Sequence, residues 1–168
     1  MKKIIILGCP GSGKSTFAKK LEKSIGLPLI HLDNIWWNPD KTHISRSEFD
    51  TVLASIIVKD NWILDGDYSR TYEVRMKACD TIFFLDYSED ECMSGIQERV
   101  GIERSDMPWI EDQLDPELVE EVHRYREKNR PMVLKLLDKY REKEIYVFKN
   151  REETEAWLKA FRQIEQEY

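Results

Sequence analysis

The chain has 168 residues and a mass of 20.0 kDa, the size of one domain with one core. Its 32 Asp and Glu against 26 Lys and Arg leave a net charge of −6, which argues against direct nucleic-acid binding through a broad basic face. Hydrophobic residues at 41% supply a packed core and exclude intrinsic disorder, and no apolar run approaches the roughly 20 residues of a membrane span.

Ile4-Ile5-Ile6-Leu7, stopped by Gly8, predicts a strand buried on both faces. From Ser15 to Ile25 the residues Phe17, Ala18, Leu21 and Ile25 share one helical face, closed by Gly26 and Pro28. Leu29 to Leu32 reads as a second strand ending at Asp33, and Asn34 to Ser45 as a loop without period. Ser45-Arg46-Ser47-Glu48 fits a capping box ahead of an amphipathic helix carrying Phe49, Val52, Leu53, Ile56 and Ile57. Trp62-Ile63-Leu64 is a third strand ending at Asp65-Gly66, a short helix lies around Tyr72 to Ala78, and Thr81 to Leu85 is a fourth strand ending at Asp86. Ser88 and Glu91 open a helix to about Val100, after which Gly101 to Leu114 loses its period.

Asp115-Pro116-Glu117 begins a long helix that reaches about Tyr140, with a bend or break before Pro131. Ile145 to Phe148 is the fifth strand, and Asn150 with Glu153 caps a last helix bearing Ala156, Trp157, Ala160, Phe161 and Ile164. Strands and helices alternate, which implies a single α/β domain spanning residues 1–168, a parallel sheet with helices on both faces.

Chemistry concentrates at Gly8-Cys9-Pro10-Gly11-Ser12-Gly13-Lys14-Ser15, which fits the phosphate-binding loop G-x-x-x-x-G-K-[ST] between a buried strand and a helix start. Residues 8–16, Thr16 included, are expected to wrap the ATP phosphates at a positive helix terminus, their backbone N–H groups (all but that of Pro10, which has none) converging on the oxygens. Lys14, an exposed loop lysine on this reading, reaches the β and γ phosphates, and Ser15 binds Mg²⁺. No Asp-x-x-Gly switch follows a strand and no Asn-Lys-x-Asp motif reads a base, so a GTPase is excluded; motor and transporter ATPases need longer chains. A kinase of a nucleotide or another small molecule fits the length. The contrasting reading is a nucleotide-dependent regulatory protein using the loop as a switch.

Asp33, Asp65 and Asp86 each end a predicted strand, where ligands of open parallel sheets collect; a carboxylate there orients Mg²⁺ or accepts the acceptor hydroxyl's proton. Arg70, Arg75, Arg99 and Arg104 are candidates for stabilising a charge-spread phosphoryl group. Trp36 and Trp37 either flank an acceptor pocket or pack into and over the core, and Trp109 lies in the aperiodic stretch. His31 reads as a satisfied sheet residue. Cys9, Cys79 and Cys92 are far apart with no CxxC pair, so neither a disulfide scaffold nor a zinc site is expected. Ile4 to Leu7 is too short for a secretory core, and the reading is of a cytoplasmic protein. The sequence carries no signal of an oligomeric state.

Trp62-Ile63-Leu64-Asp65-Gly66-Asp67-Tyr68-Ser69-Arg70-Thr71 resembles the Asp-Gly-Phe-Pro-Arg segment of adenylate kinases, with one extra residue before the arginine. The string His31-Leu32-Asp33, Trp37, Ser45 to Phe49, Trp62 to Thr71, Asp80 to Asp86 and Arg104 to Pro108 resembles the adenylate-kinase-related DNA topology modulation group over nearly the whole chain. The resemblance implies a three-layer fold with strand order 2-3-1-4-5 and Mg²⁺ held by Asp65 through water. It also implies an acceptor phosphate gripped by Arg70 and a short lid over residues 101–114 served by Arg99 and Arg104.

Overall fold

Ile4, Ile5, Ile6 and Leu7 have no exposed surface, as a β-branched run covered from both sides requires. They form most of β1 (Lys3–Gly8), the centre of a parallel sheet with β2 (Leu29–His31), β3 (Trp62–Asp65), β4 (Thr81–Leu85) and β5 (Glu144–Phe148). The strand order is β2-β3-β1-β4-β5, as the family resemblance implied. Register sets Ile6 opposite Asp65 on one side and Phe83 on the other. The structure is a computed structural model describing residues 1–166, and the setting of the Ile164 side chain lies outside the described residues.

The β1-to-β2 crossover runs in one direction across the sheet and the later ones run in the other. Right-handed connections therefore put helices on both faces. On one face α1 (Lys14–Ile25) packs beside α7 (Arg151–Gln166), and Phe17 and Trp157 lie 5.0 and 4.9 Å from the Phe83 ring. The other carries α3 (Arg46–Ile57), α4 (Tyr72–Ala78), α5 (Glu89–Gln97) and α6 (Pro116–Lys139). Removing each large apolar side chain of these layers from water contributes about 1.5–3 kcal/mol, enough to override weak local propensities.

Caps stop and start the helices where the sequence places them. Ser45 and Glu48 form both bonds of the capping box, Asp115 accepts from the Glu117 N–H at 2.8 Å, and Asn150 accepts from the Glu153 N–H at 2.9 Å. Ser88 accepts from the Glu91 N–H, one half of the expected box.

Three boundaries differ from expectation. The chain does not stay irregular after β2: Leu32–Trp36 is a short helix, α2, so Asp33 sits in its first turn and not at a strand end. Five residues are too few to show a helical period, and fully buried Leu32 anchors this turn to the core. The fifth helix stops at Gln97, and turn-like bonds from Arg99 N–H to Ile96 and from Val100 N–H to Gln97 carry the chain to Val100. The sixth runs through Pro131 without a break, since Val122 and Tyr125 before it and Val133 and Leu137 after it are all buried. No helix among the described residues is long and apolar enough to cross a membrane.

Candidate active site

The phosphate loop leaves the carboxyl end of β1 and enters α1 through Gly13, whose φ of 86° is left-handed. Gly11 is where the loop needs glycine most. At φ 81° a Cβ on it would lie 2.0 Å from the Cys92 carbonyl oxygen of α5, and one on Gly95 would lie 2.0 Å from the Gly11 oxygen. Two backbones thus touch, and α5 forms the wall against which the loop is folded. Cys9 is buried against Cys92, and the hydrogen bond its S–H donates to that partner, reinforced by burial, pushes its thiol far above the ordinary range. It is no nucleophile.

Lys14 is not the exposed lysine expected. It is 8% exposed, and Nζ donates to the carbonyls of Gly8 at 2.8 Å and Cys9 at 3.0 Å, so the side chain curls over its own loop. The sequence motif gives its position but not this packing, which depends on the loop's own carbonyls closing over it. The Ser12 hydroxyl is buried without a hydrogen-bond partner in the same loop.

On the α5 side the loop borders a cavity of about 720 Å³. Gly11, Ser12, Gly13, Ser15 and Thr16 line one wall, with Arg99, Arg104 and Asp106 opposite. Residues 101–114 contain neither helix nor strand, as their lack of period predicted. The stretch is docked. Lys19 of α1 meets Asp106 at 3.3 Å, Asn34 donates to the Ser105 carbonyl at 2.8 Å, and Trp37 meets Trp109 edge-on at 5.4 Å. Asp106 is 4% exposed; burial would raise its carboxyl, but Arg104, the Ser15 hydroxyl and Lys19 outweigh that and hold it below the usual range. Arg104 pairs with Asp106 and Glu111 at 3.5 and 3.4 Å. Arg99 has no ion-pair partner among the described residues, and burial followed by repulsion from Arg104 lowers its pKa. An anion between the two guanidiniums would relieve both.

The other side of Lys14 is built by the carboxyl ends of β2 and β3. Asp65 is 3% exposed and accepts from His31 Nδ1 at 2.7 Å, while its Oδ1 has no partner. His31 is therefore satisfied, as expected, and orients the aspartate. Part-buried Asp33 accepts from the Tyr68 hydroxyl at 2.7 Å. Desolvation raises the Asp33 pKa; the Tyr68 bond opposes this and the Asp65 charge adds to it.

The arginines are distributed differently from the resemblance. Arg70 is exposed and forms two parallel bonds to Asp50 of α3, at 2.8 and 2.7 Å. Arg75, read as solvated or phosphate-facing, is fully buried beneath residues 66–68. It donates to the Gly66 carbonyl at 2.9 Å, to the carbonyls of Asp67 and Tyr68, and to Thr71 Oγ1 at 3.0 Å. That clamp holds Gly66 at φ 140° and Tyr68, a non-glycine residue, at φ 37°. Asp86 accepts from Arg130 at 2.7 and 2.9 Å and from Lys149 at 2.5 Å, an ion-pair hub joining the ends of β4, α6 and β5. Trp36 stacks on His43 and meets Phe49 and Tyr68 edge-on, so it belongs to the packing and Trp37 to the docked stretch.

Four residues near Lys14 escape the sequence reading: Asp67, Tyr68, Asp106 and Glu121. Asp67 accepts from Asn129 at 2.9 Å and from Tyr125 at 3.4 Å. Glu121, at the rim of α6, has its carboxyl raised by desolvation and then by Asp67 and Asp33. Asp67 and Tyr68 lie inside the quoted Asp65 to Arg70 string and could have been found there. Asp106 likewise lies inside the quoted Arg104 to Pro108 string, whereas Glu121 carries no local signal, because a helical glutamate looks like surface charge.

No protein-family model matches the chain. In a match that covers 52% of its length it is 30% identical to the adenylate kinase of Rickettsia akari (strain Hartford), and the match spans about half, 53%, of that relative. Its structure resembles shikimate kinase from Bacteroides thetaiotaomicron, with TM-score 0.61 and 16% identity over 96% of each chain. Shikimate kinase from Aquifex aeolicus matches with TM-score 0.57 and 18% identity, over 96% of this chain and 94% of that one. The chain has the fold of P-loop kinases. At these identities the structural likeness speaks for the fold alone.

Proposed function

We propose that this protein is a P-loop kinase that transfers the γ-phosphoryl group of ATP to a small-molecule or nucleotide acceptor in the cytoplasm. The observation that carries the reading is the phosphate loop seated between two unlike walls. Arginines 99 and 104 face it across a cavity on one side, and on the other the buried Asp65 ends β3 beside the loop's strand, with Asp33 feeling the Lys14 and Asp65 charges. The similarity to an adenylate kinase supports the same class of chemistry. Loop N–H groups and Lys14 would bind the donor phosphates, and Arg99 and Arg104 would stabilise the group in transit. The residues also fit Mg²⁺: Ser15 lies in the first turn of α1, and the buried, unpartnered Oδ1 of Asp65 is an oxygen in search of a donor or a hydrated cation. Ser15 would bind it directly and Asp65 through water; when bound it neutralises phosphate charge. Asp33, in the first turn of α2, would take the acceptor's proton. Membership of the DNA topology modulation group is part of this proposal. The test is an ATP-consumption assay with a panel of acceptors, in which a kinase responds to one of them and a slow nucleotide switch ignores all.

Asp33 must be ionised to accept a proton. Because its pKa is raised, the rate should fall as pH drops through that raised value, at higher pH than for an ordinary carboxylate. Asp33→Asn should lose about a hundredfold in kcat with little change in ATP affinity, and should lack the acid limb of the pH–rate profile. A variant that keeps the limb would assign it to another group.

Arg99→Ala and Arg104→Ala should each slow turnover by tens-fold, about 2 kcal/mol. The Arg104 change should also loosen residues 101–114, since it removes the pairs to Asp106 and Glu111. Hydrogen exchange of that stretch, with and without MgATP, separates the two effects: Arg99→Ala should leave protection in the empty protein unchanged.

A further inference from the structure

The cavity beside the phosphate loop is suited to a polyanion, yet its walls carry acids. Three of them are exposed: Glu98 is turned to Arg151, Glu155 to Lys20, and Glu103 stands at the surface. Asp106 is the exception, a carboxylate buried in the cavity wall. Little water screens a buried charge, so a phosphate arriving beside it would be repelled.

Cations hold Asp106 in this position. Its two oxygens are shared out, Oδ1 to Lys19 Nζ at 3.3 Å and Oδ2 to Arg104 at 3.5 Å. Lys19 stands one turn beyond Ser15 on the same face of α1, so the pair ties the helix that follows the loop to residues 101–114. Lys19 and Arg104 both line the cavity, where a bound phosphate would meet them, and an internal anion already engages both. The same stretch has a second mooring that is uncharged: Asn34 donates to the Ser105 carbonyl at 2.8 Å, and Trp37 meets Trp109 edge-on. An arriving phosphate competes for the first mooring and offers nothing to the second.

We propose that Asp106 is a resident anion that holds Lys19 and Arg104 in the empty protein in place of the donor's phosphates, so that the donor binds by displacing it. This rests on the kinase reading above. The competition weakens donor binding by the fraction of molecules in which the carboxylate occupies the cations. It also links donor binding to residues 101–114, because displacing Asp106 frees the stretch from α1 while Asn34 and Trp37 keep it attached on the α2 side.

The experiment is calorimetric titration of the full chain with ATP and with inorganic tripolyphosphate, each in EDTA and again with Mg²⁺, beside hydrogen exchange of residues 101–114. Asp106→Asn keeps the shape of the side chain and removes its charge. Without metal it should bind both ligands about fivefold or more tightly than the wild type, and its empty form should exchange faster over 101–114 with the core strands unchanged. Asp106→Ser carries the same test if the asparagine variant is unstable. Asn34→Ala cuts only the uncharged mooring, and it should speed the same exchange with less than about a twofold change in affinity. Metal-free affinity that is unchanged or weaker in the Asp106 variants overturns the inference, as does tightening of ATP without tightening of tripolyphosphate. Equal tightening in Asn34→Ala overturns it too, because loosening of the stretch and not removal of charge would then open the cavity. If neither the wild type nor any variant binds ATP, with or without Mg²⁺, the kinase reading itself is removed.

Discussion

Lys14→Ala is expected to lower turnover by about 10³-fold or more, roughly 4 kcal/mol of lost transition-state stabilisation, with circular dichroism unchanged. Nζ is the cation on the loop itself, and it now rests on the Gly8 and Cys9 carbonyls, which face the same space. Trading two carbonyl contacts for phosphate oxygens would need only a swing of the side-chain end. Because the lysine is buried, alanine should also cost about 1 kcal/mol of stability from the lost bonds, small enough to leave the fold intact. The check is a coupled assay beside a urea titration. Wild-type turnover by a folded alanine variant would withdraw the nucleotide-kinase reading.

A single methyl group at Gly95 should be among the most damaging small changes in the protein. Within an ordinary helix, Gly→Ala gains up to ~1 kcal/mol. Here the sign reverses, since the new Cβ would lie 2.0 Å from the Gly11 oxygen, 2.8 Å from its carbonyl carbon and 3.0 Å from its Cα. Those atoms are backbone and cannot rotate away, so either α5 retreats from the sheet or the phosphate loop is pushed out of shape. Gly95→Ala should cost about 3 kcal/mol or more and weaken ATP binding at least tenfold. Ser94→Ala, one residue away and exposed, should change stability by at most about 0.5 kcal/mol. Urea midpoints and calorimetric titration of ATP read both effects. Native values for the Gly95 variant would mean that α5 does not shape the loop.

The contrast between these two sites explains what was readable from the chain. Lys14 lies in an eight-residue pattern whose strand, turn and helix are consecutive, so local periodicity and composition suffice to find it. Gly95 gains its meaning from Gly11, which is remote in sequence, and inside a helix it reads only as a weak helix former. Arg75 is similar: a basic residue on a short amphipathic helix looks solvated, and only the turn folded back over it supplies the carbonyls that bury its charge. Asp33 and Asp65 were legible because chain order and strand ends already brought them to one edge of the sheet. The error at Asp33, a helical first turn in place of a strand end, moved the backbone assignment without moving the carboxylate away from Lys14.

The Arg75 clamp has an evolutionary corollary. It grips the turn at residues 66–68 entirely through main-chain oxygens, which every amino acid presents alike. The backbone shape of that turn is therefore insulated from the identity of Asp67. A mutation at position 67 can alter the charge offered to an incoming molecule while the path of the chain stays the same.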